Sequence, residues 1–460
     1  MNSIDSDKKN NASELEDTTS HKQLKNYQRH GRTTAIDDHS ELQVLKRIKR
    51  YLLPKDFVIS QELLDEMVAG YDIGDPLADA LAADGIRFAK PLQQFIISDS
   101  SNNFDNHLDN SVDANLTNNS SFNALTEQFS HHPDWFDPEL ANIGAVAYRR
   151  YPLMLIWLLR NVALMAGYSI PALSLPLIQT GALMHDALPR LMRTYAYILA
   201  VSEHQPNTST HNNHKSIEQV LAIGSEGWRQ SIKVRQIHTL VRQNLLKSKA
   251  KAATGVVANA DQHHNPDGSW NTDYWGLPIN QTDMIATHLQ FSLLIMRGLR
   301  LLGARISTEE AEGILHLWNL ASYWMGVDLQ RLPKDEAACW EWLYTYLSIQ
   351  QLDFKMGQPL AKALHDLPRQ LMGEDNRRGR FVEMVNASVT RTLVGDDIGD
   401  GLNLPKSRIR FGVLSSVPIL FALDTARQHN TKVADKLEAF RAKRQDNMNW
   451  WLKKNDDYYK

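Results

Sequence analysis

The sequence predicts an all-α protein: a single large globin-like helical domain, joined to a small N-terminal helical subdomain and a disordered N-terminus. Three observations carry that expectation. Between about residues 131 and 423 apolar residues recur at helical spacing, in segments punctuated by Pro and Gly. Strand-like alternation is scarce, and no two β-branched runs flank a tight turn as a hairpin requires. With 43% apolar and 22% charged residues in 460, the chain has the balance of a folded protein with a large core.

Taken in order, residues 1–40 are rich in Asn, Ser, Asp and Lys and lack large apolar side chains. Such a segment buries too little surface to offset its ordering entropy, so it is expected to be disordered. Residues 41–97 read as the N-terminal helical subdomain. Leu42, Leu45, Ile48 and Leu52 share one helix face, and Asp75 before Pro76 is an N-cap followed by the favoured first helical residue. Residues 98–128 are dominated by Asn, Asp and Ser and read as a flexible insertion. Residues 129–425 form the main helical domain. Residues 426–460 read as a basic C-terminal helix whose Trp450 and Trp451 dock back on the body.

The charge balance excludes several classes of function. Fifty Lys and Arg against 53 Asp and Glu leave a net charge of -3, so neutralising nucleic-acid phosphates is not expected. Cys339 is the single cysteine, which rules out intrachain disulfides, thiolate clusters and haem attached through paired cysteines. The first residues carry no apolar core of a secretory signal, so a cytoplasmic location is the expectation. The most apolar region, Pro152 to Met184, is interrupted by Arg160, Asn161, Pro171, Pro176 and Gln179. A membrane span needs ~18 uninterrupted residues, so this region reads as buried core helices, with peripheral membrane contact left open.

One segment concentrates candidate chemistry. In residues 233–246 Val234, Ile237, Val241 and Leu245 form an apolar stripe expected to face the core. Arg235, His238 and Arg242 each follow a stripe residue, forming a second row within about 60° at the core's edge. Such a row needs anionic partners. A haem would supply two propionates for the arginines and an iron for the imidazole. The plainer reading is a solvated basic face with His238 as a polar filler.

The R-x-x-H-x-x-x-R pattern of Arg235, His238 and Arg242 resembles the haem-helix motif of the latex clearing protein and MpaB-type oxygenase family. Three further segments carry the likeness. Residues 180–194 resemble a second signature, with Arg190, Arg193 and Thr194 on one helix face. Residues 275–303 are similar to a Pro-Ile-Asn-Gln-x-Asp helix start, with Thr287 and His288 a turn later. There Asn280 reads independently as an N-cap and Asp283 as a helix-start acid. Residues 307–328 resemble a Leu-Trp helix whose Trp318, Trp324 and Met325 read as core.

The resemblance implies heme b as cofactor, with His238 as the iron ligand. Arg235, Arg242 and Arg190 would orient the propionates, Thr287 would reach the pocket, and Arg193 and Thr194 would shape the distal side where dioxygen binds. The implied activity is a haem-dependent oxygenase acting on a hydrophobic or lipid substrate, unsaturated in the family's rubber-cleaving members. Those members carry a glutamate upstream of the distal arginine, and a lysine where Arg193 stands. Here the run SIPALSLPLIQTG has no carboxylate, which puts base chemistry by that route, and polyisoprene as substrate, in doubt. A noncatalytic haem-binding or sensing protein is the alternative.

Other readings are weaker. Asp396, Asp397 and Asp400 have the spacing of a magnesium site for prenyl diphosphates, but Gly395, Gly399, Gly401 and Pro405 place them at a helix end. Paired Glu-x-x-His motifs for di-iron are missing, as is a G-x-S-x-G elbow, and Cys339 reads as core.

Overall fold

The computed structural model describes residues 30–33, 41–100, 116, 118–179, 187–205, 219–247, 269–415, 417–437, 439–440 and 443. The described chain is helical apart from a two-residue antiparallel ladder, His204–Gln205 with Gln219–Val220, and one isolated bridge between Thr33 and Gln350. The helices are α1 (Gln43–Tyr51), α2 (Gln61–Gly70), α3 (Pro76–Ala83), α4 (Ala89–Ser100), α5 (Ser120–Ser130) and α6 (Pro138–Arg149). There follow α7 (Pro152–Leu158), a π-helical turn Leu159–Ala163, α8 (Leu164–Tyr168), α9 (Pro171–Gln179), α10 (Ala187–Val201) and α11 (Glu226–Lys247). Next come α12 (Gln281–Leu289), a second π turn Gln290–Leu294, α13 (Ile295–Leu301), α14 (Thr308–Trp324) and α15 (Glu336–Ile349). The main body closes with α16 (Phe354–Met372) and α17 (Arg377–Leu393), and α18 (Val417–His429) follows.

The expected helix starts are built as their residues dictate. Asp75 caps α3 by accepting from the Ala78 N–H at 3.3 Å, and Asn280 caps α12 by accepting from that of Asp283 at 2.9 Å. Ser307 and Glu310 form a reciprocal capping box at α14. One apolar core runs from α1 to α17, with Trp228, Trp275, Trp318 and Trp324 among its largest fully buried side chains. The run after Pro152 is core, as expected: Leu155, Leu158, Leu159 and Met165 are buried. No single helix among the described residues is long and apolar enough to cross a membrane.

Two boundary expectations change. Part of the segment expected to be disordered is anchored: Arg32 is buried and grips Asp283 through two bonds of 2.8 and 2.7 Å. Asp283 also accepts from Tyr346 and Asn280, so this helix-start acid joins the N-terminal segment to α12 and α15. A single buried arginine with a complete set of acceptors outweighs the polar composition around it. Likewise the segment 98–128 is not loop throughout, because α5 begins at Ser120 under an Asn119 cap and buries Phe122, Leu125 and Phe129. Residues 101–115, the run 180–186, and Trp450 and Trp451 lie outside the described residues.

The aspartate cluster is structural. Asp396 and Asp400 both pair with Arg391, which is buried, and Asp400 also pairs with Lys406. Cys339 is buried, and burial pushes its thiol up to about 12, so it is packed as core.

Candidate cofactor site

Helix α11 presents its functional row differently from the expected stripe. Ile237 is 45% exposed and Val234 and Val241 are only half-buried, whereas Ser231, Ile232, Arg235, Thr239, Arg242 and Leu245 are buried. The core-facing side of α11 is therefore rotated from the apolar stripe onto the arginines. His238 lies at the edge of that row, about 60° from Arg235 and 40° from Arg242 about the axis. A polar face can be buried because its partners are supplied by the start of α3 and by the turn before α12.

Those partners revise the roles expected of two arginines. Arg235 closes a fork on Asp75, with Nε to Oδ2 at 2.6 Å and Nη2 to Oδ1 at 2.9 Å, and donates to Gln128 at 2.8 Å. Arg242 donates to Asp79 at 2.6 Å and to the carbonyls of Pro278 and Ile279 at 3.0 and 2.7 Å. The expectation that both neutralise cofactor propionates is corrected: their guanidinium groups already have protein acceptors. The two aspartates lie on α3, about 160 residues away in sequence, where no spacing argument links them.

Arg190 is the arginine left over. Its side chain forms no ion pair or hydrogen bond with any described residue. Burial lowers its pKa, the Tyr168 hydroxyl opposes that shift, and Arg193 adds to it. Arg190 in turn acts electrostatically on both His238 and Tyr168, so the three side chains, from α10, α11 and α8, lie near one another.

His238 has the condition an iron ligand needs. Its Nδ1 is cut off from solvent and has no hydrogen-bond partner. Burial, then the charge of Arg242, outweighs the attraction of Asp75, and Arg190 adds to the drop, so the imidazole is pushed down to about 4. At neutral pH it is uncharged, with a nitrogen lone pair available.

Tyr168 is the residue the sequence reading missed. It is buried, its hydroxyl has no hydrogen-bond partner, and burial holds it up to about 12 despite Arg190. A tyrosine closing an apolar helix reads as core, and only its unpartnered oxygen beside an arginine distinguishes it.

The remaining candidates divide. Thr194 donates to the Arg190 carbonyl at 3.1 Å and Thr287 to that of Asp283 at 2.9 Å, so both half-buried hydroxyls spend their proton on their own helix. Each keeps acceptor capacity only. Arg193, expected to shape the distal side, is exposed. His288 is buried and meets Ser322 Oγ through Nδ1 at 2.7 Å, and burial pushes it down to about 3. No group of three or more His, Cys, Asp or Glu able to hold a bare metal ion occurs among the described residues. Any iron at His238 must bring its other ligands with it, as a porphyrin does.

Comparison with known proteins identifies the family. Residues 147–416 match the family described as ER-bound oxygenase mpaB/B'/Rubber oxygenase, catalytic domain, a span holding every candidate above. A rubber oxygenase of Streptomyces sp. (strain K30) is 26% identical over 204 residues, 42% of each chain, so the match spans about two fifths of that relative's length. The structure of latex clearing protein in the closed state shares the fold, with a TM-score of 0.52 at 18% identity, covering 80% of this chain and 88% of that one. By the family match over more than half its length, the chain belongs to the MpaB and rubber oxygenase catalytic-domain family.

Proposed function

We propose that the protein is a haem-dependent oxygenase acting on a hydrophobic substrate with dioxygen, with His238 as the protein's iron ligand. The observation that carries this reading is the His238 imidazole: held neutral at a core edge, with a buried unpartnered nitrogen, between arginines that are themselves fixed. An orphaned buried polar atom costs about 1–3 kcal/mol, which binding of a ligand would offset. The residues present fit a haem: a neutral imidazole for the iron and one unpaired guanidinium, Arg190, for a carboxylate.

When bound, the haem supplies the redox chemistry that activates dioxygen. This chain's residues do the rest. The Asp75–Arg235 and Asp79–Arg242 pairs lock α11 against α3, which fixes the direction of His238. Arg190, near His238, would hold a carboxylate of the bound haem. Tyr168 offers an O–H donor that stays protonated at neutral pH, since it lies near 12. Thr194 and Thr287 offer only acceptor lone pairs. The run from Ser169 to Gly181 has no carboxylate, so in this reading the group offered near His238 is the Tyr168 phenol as a hydrogen-bond donor, with no glutamate there to act as a base.

Absorbance of protein produced with sufficient haem tests the reading. A Soret band is expected, and His238→Ala should abolish it while helical circular dichroism is kept. Full haem retention in that variant overturns the ligand assignment. The same missing carboxylate favours a second reading, a noncatalytic haem-binding protein. Oxygen uptake with unsaturated lipids, yielding carbonyl products, separates the two.

A further inference from the structure

A cavity lies away from His238. It has a volume of about 320 Å³, within the range of ligand pockets. None of its walls comes from α10 or α11. Val162, Ala166, Ser169 and Ile170, spaced four, seven and eight residues apart, line one side as a single helix face. Tyr168 is about 150° from the middle of that face, so this cavity and the Tyr168 side chain lie on opposite sides of the same rod. The other walls are apolar residues of α1, α15 and the stretch after α17.

Both π turns border this cavity, Val162 from the first and Gln290 and Leu294 from the second. π turns are rare and concentrate at functional sites. Gln290 is 7% exposed, and its amide makes no hydrogen bond with any described residue. The helix makes room for it with Gly167, where an added Cβ would stand 2.8 Å from Gln290 Oε1. A glycine within a helix costs about 0.5–1 kcal/mol, and here, in the last turn of α8, it leaves room for the Gln290 amide. Two turns further along lies Arg297, half-buried and without an ion pair or hydrogen bond to any described residue. Its neighbour Arg300 is paired with Glu336. Helical side chains lean toward the N-terminus, so the Arg297 stem leans back toward Gln290. Exposed Arg47 stands on the facing wall, where it donates to the Thr392 carbonyl at 3.0 Å.

We propose that this cavity is a binding site for a long-chain aliphatic carboxylate, with the chain against the apolar walls and the carboxylate held by Arg297 and the Gln290 amide. An apolar chamber with no acid in its lining and an unpaired guanidinium beside an unpartnered amide matches an anionic amphiphile and repels a cationic one. The site is independent of whether His238 binds haem.

Titration calorimetry of the full chain with laurate, and with dodecanol as the uncharged control, tests this. Saturable laurate binding is expected, at least tenfold tighter than dodecanol. Arg297→Gln should weaken laurate about tenfold and leave dodecanol unchanged. Gln290→Leu should weaken laurate several-fold, and Ala166→Phe, which fills the chamber, should remove both ligands. His238→Ala should bind laurate as the native chain does, so failure here is distinct from failure of the haem reading. The proposal is overturned by no saturable laurate binding, by equal affinity for dodecanol, or by laurate binding unaffected by Arg297→Gln. The arginine variant decides the matter if Ala166→Phe does not fold.

Discussion

Arg235 and Asp75 form a closed pair: two bonds of 2.6 and 2.9 Å, both side chains 4% exposed, with the same Asp75 carboxylate capping α3. The Gly326 backbone packs on it at φ +91, and an added Cβ would stand 2.3 Å from Asp75 Oδ2. Asp75→Ala is expected to destabilise the protein by roughly 3–5 kcal/mol, because the arginine is then left buried and unpaired. Replacing both, as Asp75→Leu with Arg235→Met, should recover a large part of that loss. Urea unfolding of the three proteins measures it. A double variant no more stable than Asp75→Ala would show that the pair is not what holds α3 to α11.

The sequence made the motif legible but not its orientation. Arg235, His238 and Arg242 were identifiable from spacing, and the caps at Asp75 and Asn280 from local chemistry. Which face of α11 turns inward was not, because burial there depends on Asp75 and Asp79, far away in the chain. A stripe of Val and Ile names the core face only when the alternative face has no partners, and here it has two carboxylates. Arg32 escaped for the same reason: its acceptors lie on α12 and α15, and composition averages over the one residue that counts.

Arg190 and Arg242 should separate cleanly on substitution. Arg242→Leu removes three hydrogen bonds and leaves Asp79 unpaired, so it should cost stability with or without cofactor. Arg190→Leu removes an unpaired, partly desolvated charge. The cofactor-free protein should be as stable or slightly more so, while haem affinity falls about tenfold, the worth of one charged hydrogen bond of roughly 1.5 kcal/mol. Haem transfer to apomyoglobin reads the second quantity. Unchanged transfer from Arg190→Leu would remove this residue from the site.

Tyr168→Phe tests the missed residue. Its hydroxyl has no partner, so its loss should leave thermal stability of the cofactor-free protein within about 1 kcal/mol. If the phenol donates into the haem volume, the C–O stretch of the carbon monoxide complex should shift, because a nearby donor changes back-donation to the bound ligand. Identical spectra for the native chain and the variant would place Tyr168 outside the distal volume.

Acid stability gives a test that needs no cofactor. Burial pushes His288 down to about 3, from an ordinary value of 6.5 in the unfolded chain. Below pH 6.5 the unfolded state therefore binds a proton that the folded state refuses, and stability falls as pH falls. Above 6.5 both states are neutral and the effect vanishes, and below about 3 both are protonated and the loss stops growing. At pH 5 the loss from this residue is about 2 kcal/mol relative to pH 8. His238, pushed down to about 4, adds a loss of the same sign in a narrower window. His288→Asn keeps a polar atom for Ser322 but cannot titrate. Its urea midpoint should be lower than that of the native chain at pH 8, yet fall less between pH 8 and pH 5. Parallel curves would mean that Ser322 and the surrounding core admit the imidazolium, and that the acid lability of this fold comes from its carboxylates instead.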